Sequence, residues 1–209
     1  QARDIITQVR ALRVAGDHVY VAIKTDTPDL LQTRGDTLTN LFKTGGAIDL
    51  MIGADPSADP KRASAVKGDQ RLLIASVNGK TVAMRYTPVA SAATSGGEAM
   101  LFSSPVRTVK IDRVDDVSGE VTVATTVERD AKNSVKQAFF EVSIPLAVLH
   151  LHPADGQSIR ADIGVLRGNG FQTLQRVYWS NKSTGLVSDL PSEAGLLPRL
   201  WGTWTFTKR

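Results

Sequence analysis

Apolar and polar residues alternate one by one over several stretches of the chain, with the period of a β-strand. Apolar residues take every second position in 18–24, 48–52, 138–144 and 159–165. Because successive side chains of a strand point to opposite faces, each stretch predicts a strand with one face in a core. Further strands are predicted from apolar runs at 9–14, 71–77, 81–86, 106–114, 120–128, 174–180 and 201–206.

Turn residues pair these strands into hairpins. Asn78-Gly79 separates the runs 71–77 and 81–86. Asn-Gly between two apolar runs is the strongest short-range hairpin signal, so this hairpin is the surest element of the chain. Residues 115–119 are predicted to turn the next two strands into a second hairpin.

Helix signals are few and short. Asp36 is predicted to cap a short helix ending at Phe42, and Pro145 to open another over 146–149. The Ala-, Ser- and Gly-rich stretch 89–100 predicts a mobile loop. The chain therefore predicts an all-β fold: an antiparallel β-sandwich of jelly-roll type with very short helices, under about a fifth helix in total. No repeat or domain boundary is visible, so one domain is expected over residues 1–209.

Composition narrows the class of protein. Of the 209 residues, 42% are hydrophobic and 22% charged, which suits a packed domain. The net charge is +4, but Lys and Arg are scattered, so no nucleic-acid partner is predicted. No apolar stretch reaches the length of a membrane span, and no signal peptide is visible. The absence of Cys excludes disulfides and thiolate metal sites. Because the chain begins at Gln1, we expect a fragment or terminal module of a larger protein.

Short motifs along nearly the whole chain carry a family resemblance. They are HVYVA at 18–22, DTP at 26–28, AIDL at 47–50, GDQRLL at 68–73, FEVSIP at 140–145, DIG at 162–164 and YWSN at 178–181. In this order and spacing they resemble the family 9-like carbohydrate-binding modules of the DOMON-like β-sandwich group. The resemblance implies a jelly-roll-like sandwich, sugar binding, sometimes structural calcium, and a place in a large exported bacterial protein, extracellular or periplasmic.

The resemblance also implies a sugar ring clamped between two tryptophans. Trp179 matches one of them, but no Trp precedes it, so Phe42 or Tyr86 would have to supply the second aromatic face. Aromatic faces stack on sugars, while planar polar groups hydrogen-bond the hydroxyls. The predicted ligand-binding residues are Trp179, Arg85, Asn181, Asp49 and Tyr86. Two structural alternatives are open: one has the tryptophans closing a core, and the other has Arg85 and Asp49 forming a structural ion pair.

Loop carboxylates offer candidate calcium ligands. Asp26 and Asp29 lie in one loop, and Asp55 and Asp59 in another, where carboxylates and backbone carbonyls together could hold Ca²⁺. Neither pair has EF-hand spacing, and Asx-turns explain both pairs more simply. No other cofactor is expected.

Three functions remain to be compared. The first is a non-catalytic carbohydrate-binding module, since the chain has no nucleophile elbow and only three His. The second is a structural or interaction module that keeps the sandwich without sugar binding. The third, also implied by the resemblance, is a haem-binding electron-transfer domain that would use Met51 or Met84 with His18.

Overall fold

The computed structural model describes residues 7–91, 98–183 and 189–207. The described residues form the following strands: β1 (Gln8–Ala15), β2 (His18–Thr25), β3 (Ala47–Gly53), β4 (Asp69–Val77), β5 (Lys80–Thr87), β6 (Glu98–Ser103), β7 (Thr108–Asp116), β8 (Thr122–Arg129), β9 (Val135–Pro145), β10 (Ser158–Gly168), β11 (Thr173–Tyr178) and β12 (Gly202–Thr205). One helix, α1 (Leu190–Ala194), and the 3₁₀ turns Leu38–Asn40 and Pro198–Leu200 complete the described elements.

Two antiparallel sheets pack as a sandwich, which confirms the predicted fold class. The small sheet has the order β1-β2-β9-β8. The large sheet has the order β11-β10-β3-β4-β5-β7-β6, and β12 pairs with β10. Along β10, residues 158–161 pair with β12 and residues 164–168 pair with β11, so β11 and β12 share one edge of β10 end to end.

The main core lies between the two sheets. Alternate residues of β2 and β9 face alternate residues of β3, β4 and β10, as their period-two patterns predict. The members of this core include Ile23, Ile48, Leu50, Ile52, Leu72, Ile74, Phe140 and Ile163.

The outer face of the large sheet is also covered. Leu41, Phe42 and Ala194 pack there against Leu73 and Tyr86, forming a second apolar cluster. As a result, all seven residues of β3 are buried, including Asp49. A strand buried on both faces is usually apolar throughout, so the carboxylate of Asp49 needs buried partners.

The Asn78-Gly79 hairpin is confirmed. Val77 pairs with Lys80, which leaves a two-residue turn. Asn78 has φ 51° and Gly79 has φ 77°. Positive φ at both central residues is the signature of a type I′ turn, whose twist matches that of the strands.

The hairpin predicted through 115–119 is wrong, although both of its strands exist. β7 pairs with β5 and β6 in the large sheet, whereas β8 pairs with β9 in the small sheet. The connection crosses between the sheets and is held by β5: Val117 N–H donates to Ala83 O at 2.9 Å, and Ala83 N–H donates to Ser118 Oγ at 2.9 Å.

Both predicted helices are corrected. Within the described residues Asp36 caps no helix; its carboxylate accepts from Arg34 Nε at 3.1 Å, and a 3₁₀ turn follows at Leu38–Asn40. Residues 146–150 form consecutive turns closed by bonds such as Val148 N–H to Pro145 O at 3.0 Å. In the predicted loop 89–100, residues 92–97 lie outside the described residues, and Glu98 begins strand β6, which the sequence pattern missed.

Within the described ranges, no helix has the length and apolar character needed to cross a membrane.

Candidate functional site

Asp49 lies on the covered outer face of the large sheet, where it has no exposed surface. Arg71 Nε donates to its Oδ1 at 3.0 Å and Arg71 Nη2 to its Oδ2 at 2.6 Å. The hydroxyl of Tyr178 donates to Oδ2 at 2.5 Å. Burial, and then the charge of Asp49, raise the pKa of the Tyr178 hydroxyl far above its usual range. Asp49 is therefore fully engaged inside the protein.

Tyr86 is buried on the same face and is 2% exposed. Its hydroxyl donates to Thr39 O at 3.0 Å, and its ring meets Phe42 edge to face at 6.0 Å between centroids. Asp49, Tyr86 and Phe42 were predicted as possible sugar contacts, and all three side chains are buried in the structure. The segment 38–44 and helix α1 cover the face on which a sugar would have to lie.

Arg85 lies on the opposite face of the large sheet. The register pairs Asp49 with Leu73 and Leu73 with Met84, so these three side chains point to the same face. Arg85 follows Met84 in its strand and therefore points to the opposite face. Its Nη2 donates to Asp115 Oδ2 at 2.9 Å and its Nη1 to Val148 O at 3.0 Å. Arg85 and Asp49 therefore do not pair with each other: Asp49 pairs with Arg71, and Arg85 pairs with Asp115.

Arg85 lines a cavity of about 480 Å³ at one end of the sandwich. The walls come from the β3–β4 connection, the end of β5, the middle of β7 and the turn at His150. This volume is in the range of small-molecule sites. The cavity shares no lining residue with the surroundings of Trp179 described next.

Trp179 directly follows β11 and is 54% exposed. The six-membered ring lies on the backbone of Gly202: a β-carbon at Gly202 would come within 2.0 Å of Trp179 Cζ3. Among the described residues, its indole N–H has no hydrogen-bond partner. Trp179 thus forms a ledge at the junction of β11 and β12, with one side packed and the other open to solvent.

Two side chains, a buried carboxylate and a lysine, hydrogen-bond the backbone of residues 179–181. Asp162, which is fully buried, accepts from Ser180 N–H at 2.9 Å and from Asn181 N–H at 2.8 Å. Lys182 Nζ donates to Trp179 O at 2.7 Å. These bonds hold residues 179–181 in place after the strand pairing has ended, so the indole is presented by an ordered segment.

Asn181 lies beside a small depression of about 70 Å³, which Ser183, Leu197 and Trp201 also line. Its Oδ1 accepts from Ser183 N–H at 2.8 Å. Trp201 is 2% exposed and precedes Gly202, on which Trp179 rests. Of the five predicted ligand residues, the structure brings together Trp179 and Asn181, and it places Arg85 at a separate site.

One face of β11 is open to solvent. Val177 is 52% exposed, because β11 lies at the edge of the large sheet. The buried face of β11 carries Arg176 and Tyr178 instead. The contact with Gly202 had no sequence signal beyond a glycine next to tryptophan.

The candidate calcium ligands make local contacts. Asp55 Oδ1 accepts from Ser57 N–H at 2.8 Å, and Asp59 Oδ1 accepts from Lys61 N–H at 2.8 Å, both as Asx-turns. Asp29 accepts from Gln32 Nε2 at 3.0 Å, and Asp26 is exposed beside Thr25. Across residues 7–91, 98–183 and 189–207, no three His, Asp or Glu side chains are grouped to hold a metal ion.

The residues considered for haem do not converge. Met51 and Met84 are buried on the outer face of the large sheet, in different clusters. His18 belongs to the small sheet, where its Nδ1 bonds Asp17 at 2.6 Å.

The comparisons with known proteins support the fold. No family model and no curated protein matches the sequence. The structure is similar to the crystal structure of a protein from Bacteroides uniformis for which carbohydrate binding has been proposed, with a TM-score of 0.50 and 11% identity, over 97% of this chain and 78% of that chain. At this identity the likeness concerns the fold alone.

Proposed function

We propose that this protein is a non-catalytic carbohydrate-binding module with the Trp179 ledge as its sugar platform. The observation that carries the proposal is the half-exposed indole fixed on the Gly202 backbone. A sugar presents an apolar face of C–H groups, and an immobile aromatic ring can stack on it without losing side-chain freedom.

Polar groups stand next to the ring. Asn181 is partly exposed two residues away, and Ser183 and Lys182 follow on the surface. Amide, hydroxyl and ammonium groups can all bond sugar hydroxyls, and an amide can both donate and accept. An aromatic surface with a few polar groups at its border is the usual composition of a small-molecule site, and it suits a sugar, which has both C–H faces and hydroxyls.

The family and the parent protein of this module are also proposals. We infer a family 9-like module that binds an oligo- or polysaccharide, within an exported bacterial protein with further domains. The sequence motifs support this assignment, and the fold of the Bacteroides protein is compatible with it.

Replacing Trp179 tests the platform. Calorimetric titration with a panel of soluble oligosaccharides should detect a ligand of the wild-type protein. Trp179→Ala should then lose binding beyond detection, while Trp179→Phe keeps a weaker stacking face. Because the ring is half exposed, the melting temperature of Trp179→Ala should fall only slightly, whereas removing a core Trp would cost about 3–5 kcal/mol.

Gly202→Ala provides a second variant at the same site. The added methyl meets the ring and forces it to move, so sugar affinity should fall although Trp179 is intact. Gly119→Ala is the control, since nothing lies within 4 Å of the added carbon. A wild-type protein that binds no sugar in the panel would favour the interaction-module alternative. A strongly lowered melting temperature for Trp179→Ala would identify Trp179 as a core residue.

A further inference from the structure

The cavity at the end of the sandwich carries a positive charge that the protein does not neutralise. Asp115 lies between two guanidinium groups: Oδ2 accepts from Arg85 Nη2 at 2.9 Å, and Oδ1 accepts from Arg113 Nε at 2.5 Å. One carboxylate therefore balances two cations. At the rim, Lys67 and Asp55 are both exposed and offset each other. Asp69 also lines the cavity, but its carboxylate is paired with Arg62.

Arg113 has N–H donors that are not used within the protein. Its side chain is 19% exposed and lines the cavity. Among the described residues, its two terminal nitrogens make no hydrogen bond. A guanidinium presents paired N–H groups that match the two oxygens of a carboxylate, so Arg113 is positioned to bind one in bidentate form.

His150 adds no charge to this site. Arg85 Nη1 lies 3.2 Å from His150 Nε2. A guanidinium can only donate, so Nε2 must accept and the imidazole must be neutral, with its proton on Nδ1. Burial, and then the nearby charges of Arg85 and Arg113, hold the pKa of His150 below its usual range.

Gln70, which lines the same cavity, has an unsatisfied acceptor behind the cavity surface. It is 2% exposed, and its Nε2 donates to Leu149 O. Within the part of the chain that the structure describes, its Oε1 is buried without a hydrogen-bond partner. A buried acceptor without a donor is costly, so a ligand hydroxyl that meets this oxygen after a small movement of the Gln70 amide towards the cavity is stabilised there.

We propose that this cavity binds a small monocarboxylate that also carries hydroxyl groups, the chemistry of a sugar acid. The carboxylate pairs with Arg113, a hydroxyl donates to Gln70 Oε1, and the aliphatic ring lies against Ala54, Pro56 and Val89. This site is independent of the Trp179 ledge, with which it shares no residue. The sugar acid can be a free molecule or a uronic acid residue of a polysaccharide.

Calorimetry with D-glucuronate tests the site, with D-glucose and acetate as the ligands that lack the carboxylate or the hydroxyls. Glucuronate should bind, and both comparison ligands should bind at least about 10-fold more weakly, the effect of one lost charge-assisted bond. Arg113→Gln should weaken glucuronate binding by a similar factor. Arg129→Gln, an exposed arginine of β8 in the other sheet, should leave it unchanged. A glucuronate-terminated oligosaccharide that also binds would assign the polysaccharide source, and binding of the monomer alone would assign the free acid.

A measurement on the wild-type protein covers the case in which Arg113→Gln does not fold. Saturating glucuronate should raise the pKa of His150 in an NMR titration, because the bound carboxylate offsets Arg85 and Arg113. The other groups near His150, Asp115 and His152, are present with and without ligand. Trp179→Ala should keep glucuronate binding, so the failure of one site can be told from the failure of the other. No glucuronate binding, equal binding of glucose or acetate, or an unchanged His150 pKa would overturn the proposal.

Discussion

The ion pair of Asp49 and Arg71 lies in the middle of the large sheet, with 0% and 1% of the two side chains exposed. Arg71 also donates to Glu193 O at 2.7 Å and lies 5.2 Å from the centre of the Phe42 ring. These contacts join the sheet to helix α1 and to the segment before β3. Removing two charges from water is costly, so such a pair stabilises a structure mainly by penalising every arrangement that separates it.

Replacing one partner should reveal this cost. Asp49→Ala leaves Arg71 buried without a counter-ion and should lower the free energy of unfolding by about 3–5 kcal/mol, measured by urea denaturation. Asp36→Ala is the matched control, because the Arg34–Asp36 pair is about half exposed, with side chains 48% and 54% exposed; its effect should stay below about 1 kcal/mol. Equal midpoints for the two variants would show that the buried pair does not hold the outer layer.

The sequence could predict that Asp49 and Arg85 each point to the strand face opposite that of their apolar neighbours. It could not predict which residues they contact. The alternation assigns a residue to one of two faces and assumes that one of them is solvent. Here residues 38–44 and 189–201 cover the second face. Neither segment has a periodic apolar pattern that predicts packing against a sheet. Trp179 was identifiable as a candidate because the aromatic residue ends a strand and is followed by polar residues.

The β4–β5 hairpin is the element in which local sequence and fold agree most closely. Its turn demands φ above zero at both central residues, and the chain supplies Asn78 and Gly79. A β-carbon at Gly79 would have nothing within 4 Å, so only the backbone conformation restricts this position.

Two glycine variants isolate the conformational effect. Gly79→Ala should lower the free energy of unfolding by about 1 kcal/mol, because a left-handed conformation disfavours a residue with a β-carbon. Gly119→Ala meets equally open space without a positive φ and should be neutral or slightly stabilising. Denaturation midpoints measure both; a Gly79→Ala midpoint equal to that of Gly119→Ala would contradict the turn assignment.

Strands were easier to predict than their partners. The alternation marks β7 and β8 correctly, yet the short link between them crosses to the other sheet. Pairing depends on which edges meet in space, and the bonds from Ala83 to Val117 and Ser118 are long-range contacts that a local pattern does not contain. Strand β6 was missed because an Ala-, Ser- and Gly-rich stretch runs into it.

At the scale of the whole molecule, the covered faces decide where a ligand can bind. The small sheet covers one face of the large sheet, and the α1 segment covers much of the other. Among the described residues, two candidate binding places lie on this framework: the Trp179 ledge at the β11–β12 edge and the cavity at the end of β5. The proposed sugar platform therefore lies at an edge of the sandwich, away from the middle of a sheet.

The three tryptophans allow the sugar platform to be tested directly by NMR. Trp201 is buried and Trp204 is half-buried, whereas Trp179 is 54% exposed. The indole N–H signals can be assigned by substituting each tryptophan with Phe and then followed while an oligosaccharide is added. We expect the Trp179 signal to shift in a saturable way, with the Trp201 signal unchanged. A Trp179 signal that stays fixed, while the oligosaccharide binds and shifts other signals, would contradict the account.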